Sequence, residues 1–235
     1  MSYPQLQALD LSQHYGPTPA LDHLSITIDR GESVAIMGPS GSGKTTLLHA
    51  LAGIDVAQSG EVIFHGADRP VSIHALSSEQ RADVRLRHFG FVFQQGLMLS
   101  ELTVVENVAL PLMLCGVDRA SAQQTVSAWL NRLGLAGMED RRLGELSGGQ
   151  AQRVAVARAQ VCGPDVVFAD EPTGALDSVT SGEVLHALLE SSAEHGTTLV
   201  VVTHDESVAA RCGRTVRLRD GQVVSDTAVT GVMAP

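Results

Sequence analysis

Short runs rich in Ile, Val and Leu, each bounded by Gly, Pro or Asp, occupy residues 5–10, 22–29, 33–37 and 61–65, and read as β-strands. One helical stretch interrupts them at 44–53, where Leu47, Leu48 and Leu51 recur at helical spacing. A further strand is expected at 89–93. Then the pattern changes. Thr103-Val-Val-Glu106 is a capping box ahead of an apolar run through Cys115, and Asp118 is placed to cap a helix that reaches Leu133. Residues 150–161 continue at helical spacing. Residues 95–160 therefore read as an all-helical insertion between two parts of one core, 1–94 and 161–235. Beyond it, strands at 166–169 and 198–202 alternate with helices at 181–194 and near 206–211, the pattern of a parallel sheet with helices on its faces. Asp220-Gly221 between two apolar runs predicts a closing hairpin, and the last ten residues read as a loose tail.

Composition narrows the class. The 235 residues are 44% hydrophobic, enough for a real core and against disorder. The length fits one large domain or a core with a smaller lobe. With 16 Lys+Arg against 26 Asp+Glu, the net charge of −10 argues against a general nucleic-acid binder, which needs cations to displace counterions. No stretch approaches the roughly eighteen consecutive apolar residues of a membrane span, and residues 1–15 lack the basic and apolar regions of a secretion signal. Cys115, Cys162 and Cys212 form no CxxC pair and read as reduced thiols. The nine histidines are scattered without ligand spacing. A soluble, cytoplasmic, globular chain is expected.

Three motifs carry chemistry. Gly38-Pro39-Ser40-Gly41-Ser42-Gly43-Lys44-Thr45, followed by Thr46, fits the phosphate-binding loop G-x-x-x-x-G-K-[ST], with a strand before it and a helix after it. Glycines let the backbone N–H groups wrap phosphate oxygens, Lys44 reaches the β- and γ-phosphates, and the Thr45 hydroxyl is offered to Mg²⁺. Val166-Val-Phe-Ala169 runs into Asp170 and Glu171, so a buried strand would deliver Asp170 beside that loop to orient Mg²⁺ and Glu171 to polarise an attacking water. Leu146-Ser147-Gly148-Gly149-Gln150 is a second anion-ready helix start.

With these motifs in this order, the chain resembles the ATP-binding-cassette (ABC) ATPases over about residues 5–225. The resemblance implies an α/β fold: an ABC-type P-loop NTPase with a RecA-like parallel core sheet, an N-terminal antiparallel β subdomain and an inserted α-helical subdomain. It implies ATP and Mg²⁺ as cofactors and an ATP hydrolase activity. Tyr15 matches the aromatic that stacks on adenine. Gln94 matches the glutamine that touches Mg²⁺ and the attacking water, and Asp177 the loop that joins two nucleotide sites. His204 matches the histidine at the γ-phosphate. The family stacks two cassettes head to tail, so a homodimer is implied, with Leu146–Gln150 of one copy completing the nucleotide site of the other. Gly174 stands where many relatives carry Ser.

The wording around 90–95, 103–111 and 171–178 is similar to the MacB, LolD and FtsE branch, whose members drive four-helix membrane permeases that act mechanically. That implies an integral membrane permease as partner, a peripheral position on the cytoplasmic face of the membrane, and no nucleic acid. Hydrophobic or amphipathic cargo follows, with a lean to haem through a likeness to HrtA-type exporter ATPases; antimicrobial peptides, macrolides and lipoproteins are the other classes. The permease would dock beside Gln94, on Gly96-Leu-Met-Leu99 or the helix after Thr103, against which stands the plainer reading of those side chains as core; Trp129 reads as core. Two rivals are an FtsE-like signalling ATPase without cargo and an SMC-type DNA ATPase. The second needs a long coiled coil that this chain lacks.

Overall fold

The computed structural model describes residues 3–66, 69–94 and 97–228. In chain order the elements are β1 (Pro4–Tyr15), β2 (Thr18–Asp29), β3 (Ser33–Met37), α1 (Lys44–Leu51), β4 (Ser59–His65), β5 (Pro70–Ser72), α2 (Ser78–His88), β6 (Phe89–Phe93), α3 (Val104–Leu114), α4 (Arg119–Arg132), α5 (Gly148–Gln160), β7 (Val166–Asp170), α6 (Ser178–His195), β8 (Thr198–Thr203), α7 (Glu206–Ala209), β9 (Arg214–Arg219) and β10 (Gln222–Asp226). Single 3₁₀ turns lie at Ile73–Ala75 and Leu143–Glu145. The tail beyond residue 228, and Gln95 and Gly96 at the expected start of the insertion, lie outside the described residues.

Two sheets form. One is antiparallel, in the order β2-β1-β4-β5; the other runs β10-β9-β3-β8-β7-β6, parallel except for the β9–β10 hairpin. β1 is twice as long as the pattern predicts. Asp10, at φ 54, sits in a register shift between Ala8 and Leu11, and the slip breaks the alternation although Leu11 is fully buried. The pattern also passes over α2. Its sequence, SEQRADVRLRH, has no fully buried residue and hence no apolar stripe, and the helix rests on a reciprocal Ser77–Gln80 capping box.

The apolar faces divide into two main cores. Between the sheets and around α1, Phe64, Phe89 and Phe168 meet edge to face, with ring centroids 5.0 and 5.3 Å apart. On the opposite face of the large sheet, α3 to α6 pack over Val167, Ala169, Leu199 and Val201. α5 lies against β6, α3 and α6, and it crosses β6 so closely that a side chain at Gly90 would strike the Ala159 carbonyl. Trp129 joins this core, stacked on His195 at 5.2 Å, in line with its expected packing role. α3 buries Val104, Val108 and Leu112 but leaves Met113 and Leu114 exposed, as are Leu97 and Leu99 before it.

One ion network ties the sheets together. Arg214 of β9, nearly buried, donates to Asp226 of β10 at 2.6 Å, to Glu32 at 3.2 Å and to the Thr27 carbonyl of β2 at 2.9 Å. The Arg214 hydrogen bond holds the Asp226 carboxyl below its usual range. Removing Arg214 takes the shared cation away from two largely buried carboxylates. Arg214→Ala is expected to cost about 3 kcal/mol and to lower Tm by roughly 6–12 °C, measured by calorimetry. Because the folded-state pKa of Asp226 is depressed, its contribution is present above the unfolded carboxylate value and is lost as pH falls through the folded one. Asp226→Asn should therefore flatten the acid limb of the stability profile.

Candidate active site

β3 ends at Met37 and the chain enters the glycine loop. Gly38, Gly41 and Gly43 all have positive φ, at 153°, 80° and 97°. At Gly43 a side chain would also strike the Ala20 carbonyl, so this position needs glycine twice over. Gly43 caps α1 without any side-chain hydrogen bond, which leaves the first N–H groups of α1 open toward the cleft. Lys44 is almost buried and donates to the carbonyls of Gly38 and Pro39, both at 2.9 Å. The buried Ser42 hydroxyl has no partner. Open amides and a lysine folded back on its own loop are donors shaped for an oxyanion.

The register of the parallel strands delivers the carboxylates. Asp170 of β7 stands opposite Val202 of β8, and Met37 of β3 opposite Thr203. The Thr45 hydroxyl donates to Asp170 at 3.5 Å. Burial, then the neighbouring Glu171, pushes the Asp170 carboxyl above its usual range, against smaller lowering effects from His49, Thr45 and Lys44. A half-buried carboxylate raised by burial, with the Thr45 hydroxyl beside it, fits a divalent cation. Glu171 has φ 46°, a backbone state costing about 1–2 kcal/mol for a residue with a Cβ, and its N–H extends the ladder to the Val202 carbonyl at 2.9 Å. The turned backbone aims its carboxylate at β8, where His204 Nδ1 donates to Oε1 at 2.7 Å and the Thr203 hydroxyl donates to Oε2 at 3.3 Å. Thr203 has no motif of its own, and the sequence reading passed over it. Only the strand register reveals it.

A cleft of about 630 Å³ brings together Tyr15, Ser40, Gly41, Gly43, Lys44, Thr45, Thr46, Asp170, Glu171 and His204. Tyr15 is 57% exposed at its rim, a ring with an open face. Gln94 lies to one side, over Gly174: a Cβ at 174 would come within 3.0 Å of its amide nitrogen and 3.6 Å of the Glu171 Cβ. The cleft does not include the second anion-ready helix. Ser147 caps α5 through a reciprocal box with Gln150 and is exposed, with Leu146 half-buried before it. That segment packs elsewhere: side chains at Gly148 and Gly149 would run into Leu176 and Thr180. Thr180 donates to Asp177 at 2.6 Å, so Asp177, the cap of α6, sits directly behind the Ser147 segment.

A phosphate loop at the edge of a parallel sheet, with an Asp–Glu pair on the neighbouring strand end, defines a P-loop ATPase; the extra antiparallel sheet and the Ser-Gly-Gly helix start place it among the ATP-binding cassettes. The chain belongs to the ABC transporter family, whose model matches residues 21–174. It is 44% identical over 225 residues to the lipoprotein-releasing system ATP-binding protein LolD of Geobacter metallireducens, covering 94% of this chain and 98% of that protein. It is 40% identical over 234 residues to the macrolide export ATP-binding/permease protein MacB of Pasteurella multocida, covering 98% of this chain but 35% of MacB. Among solved structures it superimposes with a TM-score of 0.84 and 34% identity on the ATP-binding cassette MJ0796, a dimer in a post-hydrolysis state bound to ADP and Pi, over 94% of this chain and 97% of that one. It is an ABC transporter ATP-binding subunit of LolD/MacB type and an ATP hydrolase, with the α/β cassette fold that the motifs implied.

Since burial raises the Asp170 carboxyl, the folded state holds its proton more tightly, and stability falls as pH rises from the unfolded carboxylate value through the folded one. Nucleotide-free Asp170→Asn should thus melt at or above the wild-type temperature at pH 7. The gap should close below about pH 4. Its Mg²⁺-dependent ATP hydrolysis should drop at least tenfold, roughly 1.4 kcal/mol of barrier.

Proposed function

We propose that two copies of this chain stack head to tail and drive a separate MacB-like four-helix membrane permease. The observation that carries the homodimer is the separation of the two anion-ready helix ends: α1 opens into the cleft, whereas Ser147 lies outside it. One chain cannot bring both to one nucleotide, but a twofold can. In this reading Leu146, Ser147, Gly148, Gly149 and Gln150 of one copy close over the nucleotide held by Gly38–Thr46 of the other, and Asp177 behind them links the two sites. Residues 95–160 serve as the insertion that carries this signature relative to the core, 1–94 and 161–235.

Tyr15 would stack on the adenine, and Thr45, Asp170 and Gln94 would hold Mg²⁺. Mg²⁺–ATP, when bound, supplies the γ-phosphoryl group and the cation that spreads its charge. The chain's own contribution is positional. Lys44 gives up two carbonyl bonds of its own loop for phosphate oxygens. Glu171, steadied by Thr203 and His204, polarises the attacking water and accepts its proton at the carboxylate, and the His204 ring, exposed to the cleft, would meet the γ-phosphate.

No described helix is long and apolar enough to cross a membrane. Attachment to the cytoplasmic face then rests on the permease. An apolar groove of about 330 Å³ is its docking place, floored by Phe91 and Phe93, walled by Leu97, Leu110 and Leu114, with Arg85 at the edge. It takes in Leu97 of the expected 96–99 segment and Leu110, Pro111 and Leu114 of α3; Gly96 lies outside the described residues. The cargo touches the permease rather than this chain and is a hydrophobic or amphipathic compound, haem being the first to test.

Glu171→Gln should bind ATP, lose more than nine-tenths of turnover and accumulate as a two-ATP dimer on size exclusion; turnover above a tenth of wild type would sink the role given to Glu171. Ser147→Arg should block hydrolysis, and mixing it with Lys44→Ala subunits should restore one composite site per dimer. ATP photocrosslinked to residue 147 of its own subunit would contradict the stacked geometry. Co-purified with its permease, the chain should hydrolyse ATP faster when the cargo is added, with haem, a macrolide and a lipoprotein as parallel arms.

A further inference from the structure

β1 outruns one of its neighbours. Its pairing with β4 ends at Ser12 opposite Ser59, and residues 13–15 run past that point, still paired with β2, with Tyr15 opposite Thr18. Side chains then take over the ladder. Gln58, the residue before β4, accepts the His14 N–H at its Oε1 at 3.0 Å and donates from Nε2 to the His14 carbonyl at 3.4 Å. Gln13 returns the pairing: its Oε1 accepts the Gln58 N–H at 3.1 Å, and its Nε2 reaches the His14 carbonyl at 3.5 Å. A side-chain amide carries the same donor and acceptor as a peptide unit, so the interlock adds one more rung to β1 directly before Tyr15. This rung stands beside the cleft. Gln13, Tyr15 and Thr46 border one cavity of about 10 Å³, and Tyr15 and Thr46 also line the cleft itself. The Tyr15 ring is exposed, so its backbone, more than packing, sets where it stands.

We propose that Gln13 and Gln58 are positioning residues for the nucleotide base: their interlocked amides fix the backbone at His14 and thereby hold Tyr15 at the cleft rim, where it meets adenine. This role rests on the stacking assigned to Tyr15 above. Without the interlock the end of β1 is free to move, and the base has to order the ring as it binds, which costs affinity. The base keeps the same contact before and during cleavage of the γ-phosphate. The loss therefore falls on KM, and kcat is retained.

The test compares the full-length wild type with Gln58→Ala, Gln13→Ala, Tyr15→Ala and the double variant Gln58→Ala/Tyr15→Ala. ADP affinity is measured by isothermal titration calorimetry, and KM and kcat for Mg²⁺–ATP by phosphate release. Each glutamine variant should weaken ADP binding and raise KM about threefold or more. Its kcat at saturating ATP should hold, and its Tm should stay within about 2 °C of wild type. Inhibition by pyrophosphate, which fills the phosphate loop without a base, should be unchanged. In the Tyr15→Ala background, Gln58→Ala should add nothing, because the ring it positions is gone. Wild-type ADP affinity in either glutamine variant, with Tyr15→Ala weakened, would overturn the positioning role and leave the stacking role intact. An equal loss of pyrophosphate affinity, or a further threefold loss in the double variant, would also overturn it, since the glutamines then act through something other than Tyr15. If Tyr15→Ala itself binds ADP as the wild type does, the stacking role fails and the positioning role falls with it.

Discussion

The parallel register of β3, β8 and β7 is the constraint on which the rest of the site depends. Met37 faces Thr203 and Val202 faces Asp170, so three strands reach one edge of the sheet within a residue of each other. The phosphate loop leaves β3, Asp170 ends β7 with Glu171 next to it, and His204 follows β8, which makes the cleft a consequence of strand pairing. Residues 38, 171 and 204 are far apart in the chain. A slip of one position in this register would turn Asp170 to the opposite face of the sheet and separate it from Thr45.

Glu171 shows how the edge is used. The ladder holds its N–H on Val202 while its own φ is positive, a state the residue reaches only because neighbouring hydrogen bonds over-determine it. That turn swings the carboxylate from β7 across to Thr203 and His204. The strained residue is thereby anchored at both carboxylate oxygens, whereas Asp170 is raised by burial and by Glu171 beside it. Two adjacent carboxylates are given opposite tasks by their surroundings.

The helical half supplies a different kind of order. Ser147, Gly149, Thr180 and Asp177 form one contact chain on the outside of the cleft, so the signature and the loop behind it act as a unit against whatever lies opposite. α5 connects this unit at its N-terminus to the groove at its C-terminus, where Cys162 and Phe91 sit. A helix of thirteen residues therefore spans the distance between the Ser147 segment and the apolar groove.

Much of this was legible in the chain. The phosphate loop, the Asp170–Glu171 strand end, the capping box at Thr103, the helix start at Ser147 and the Asp220-Gly221 hairpin are local: each depends on residues a few positions apart, and each stands where its pattern predicts. The β1 extension beyond Asp10 was hidden because a bulge breaks the period that pattern reading relies on. α2 was hidden because a surface helix held by its caps has no apolar stripe to read. Thr203, the Gln94–Gly174 contact and the Arg214 network carry no sequence signal at all, since they are made by segments dozens of residues apart. The sequence by itself determined the chemistry available, a phosphate loop, a metal-ready carboxylate and a base. Only the tertiary structure decided which of these groups share a cleft and which face away from it, because that is settled by strand register and helix packing, and neither is written in any local stretch of the chain.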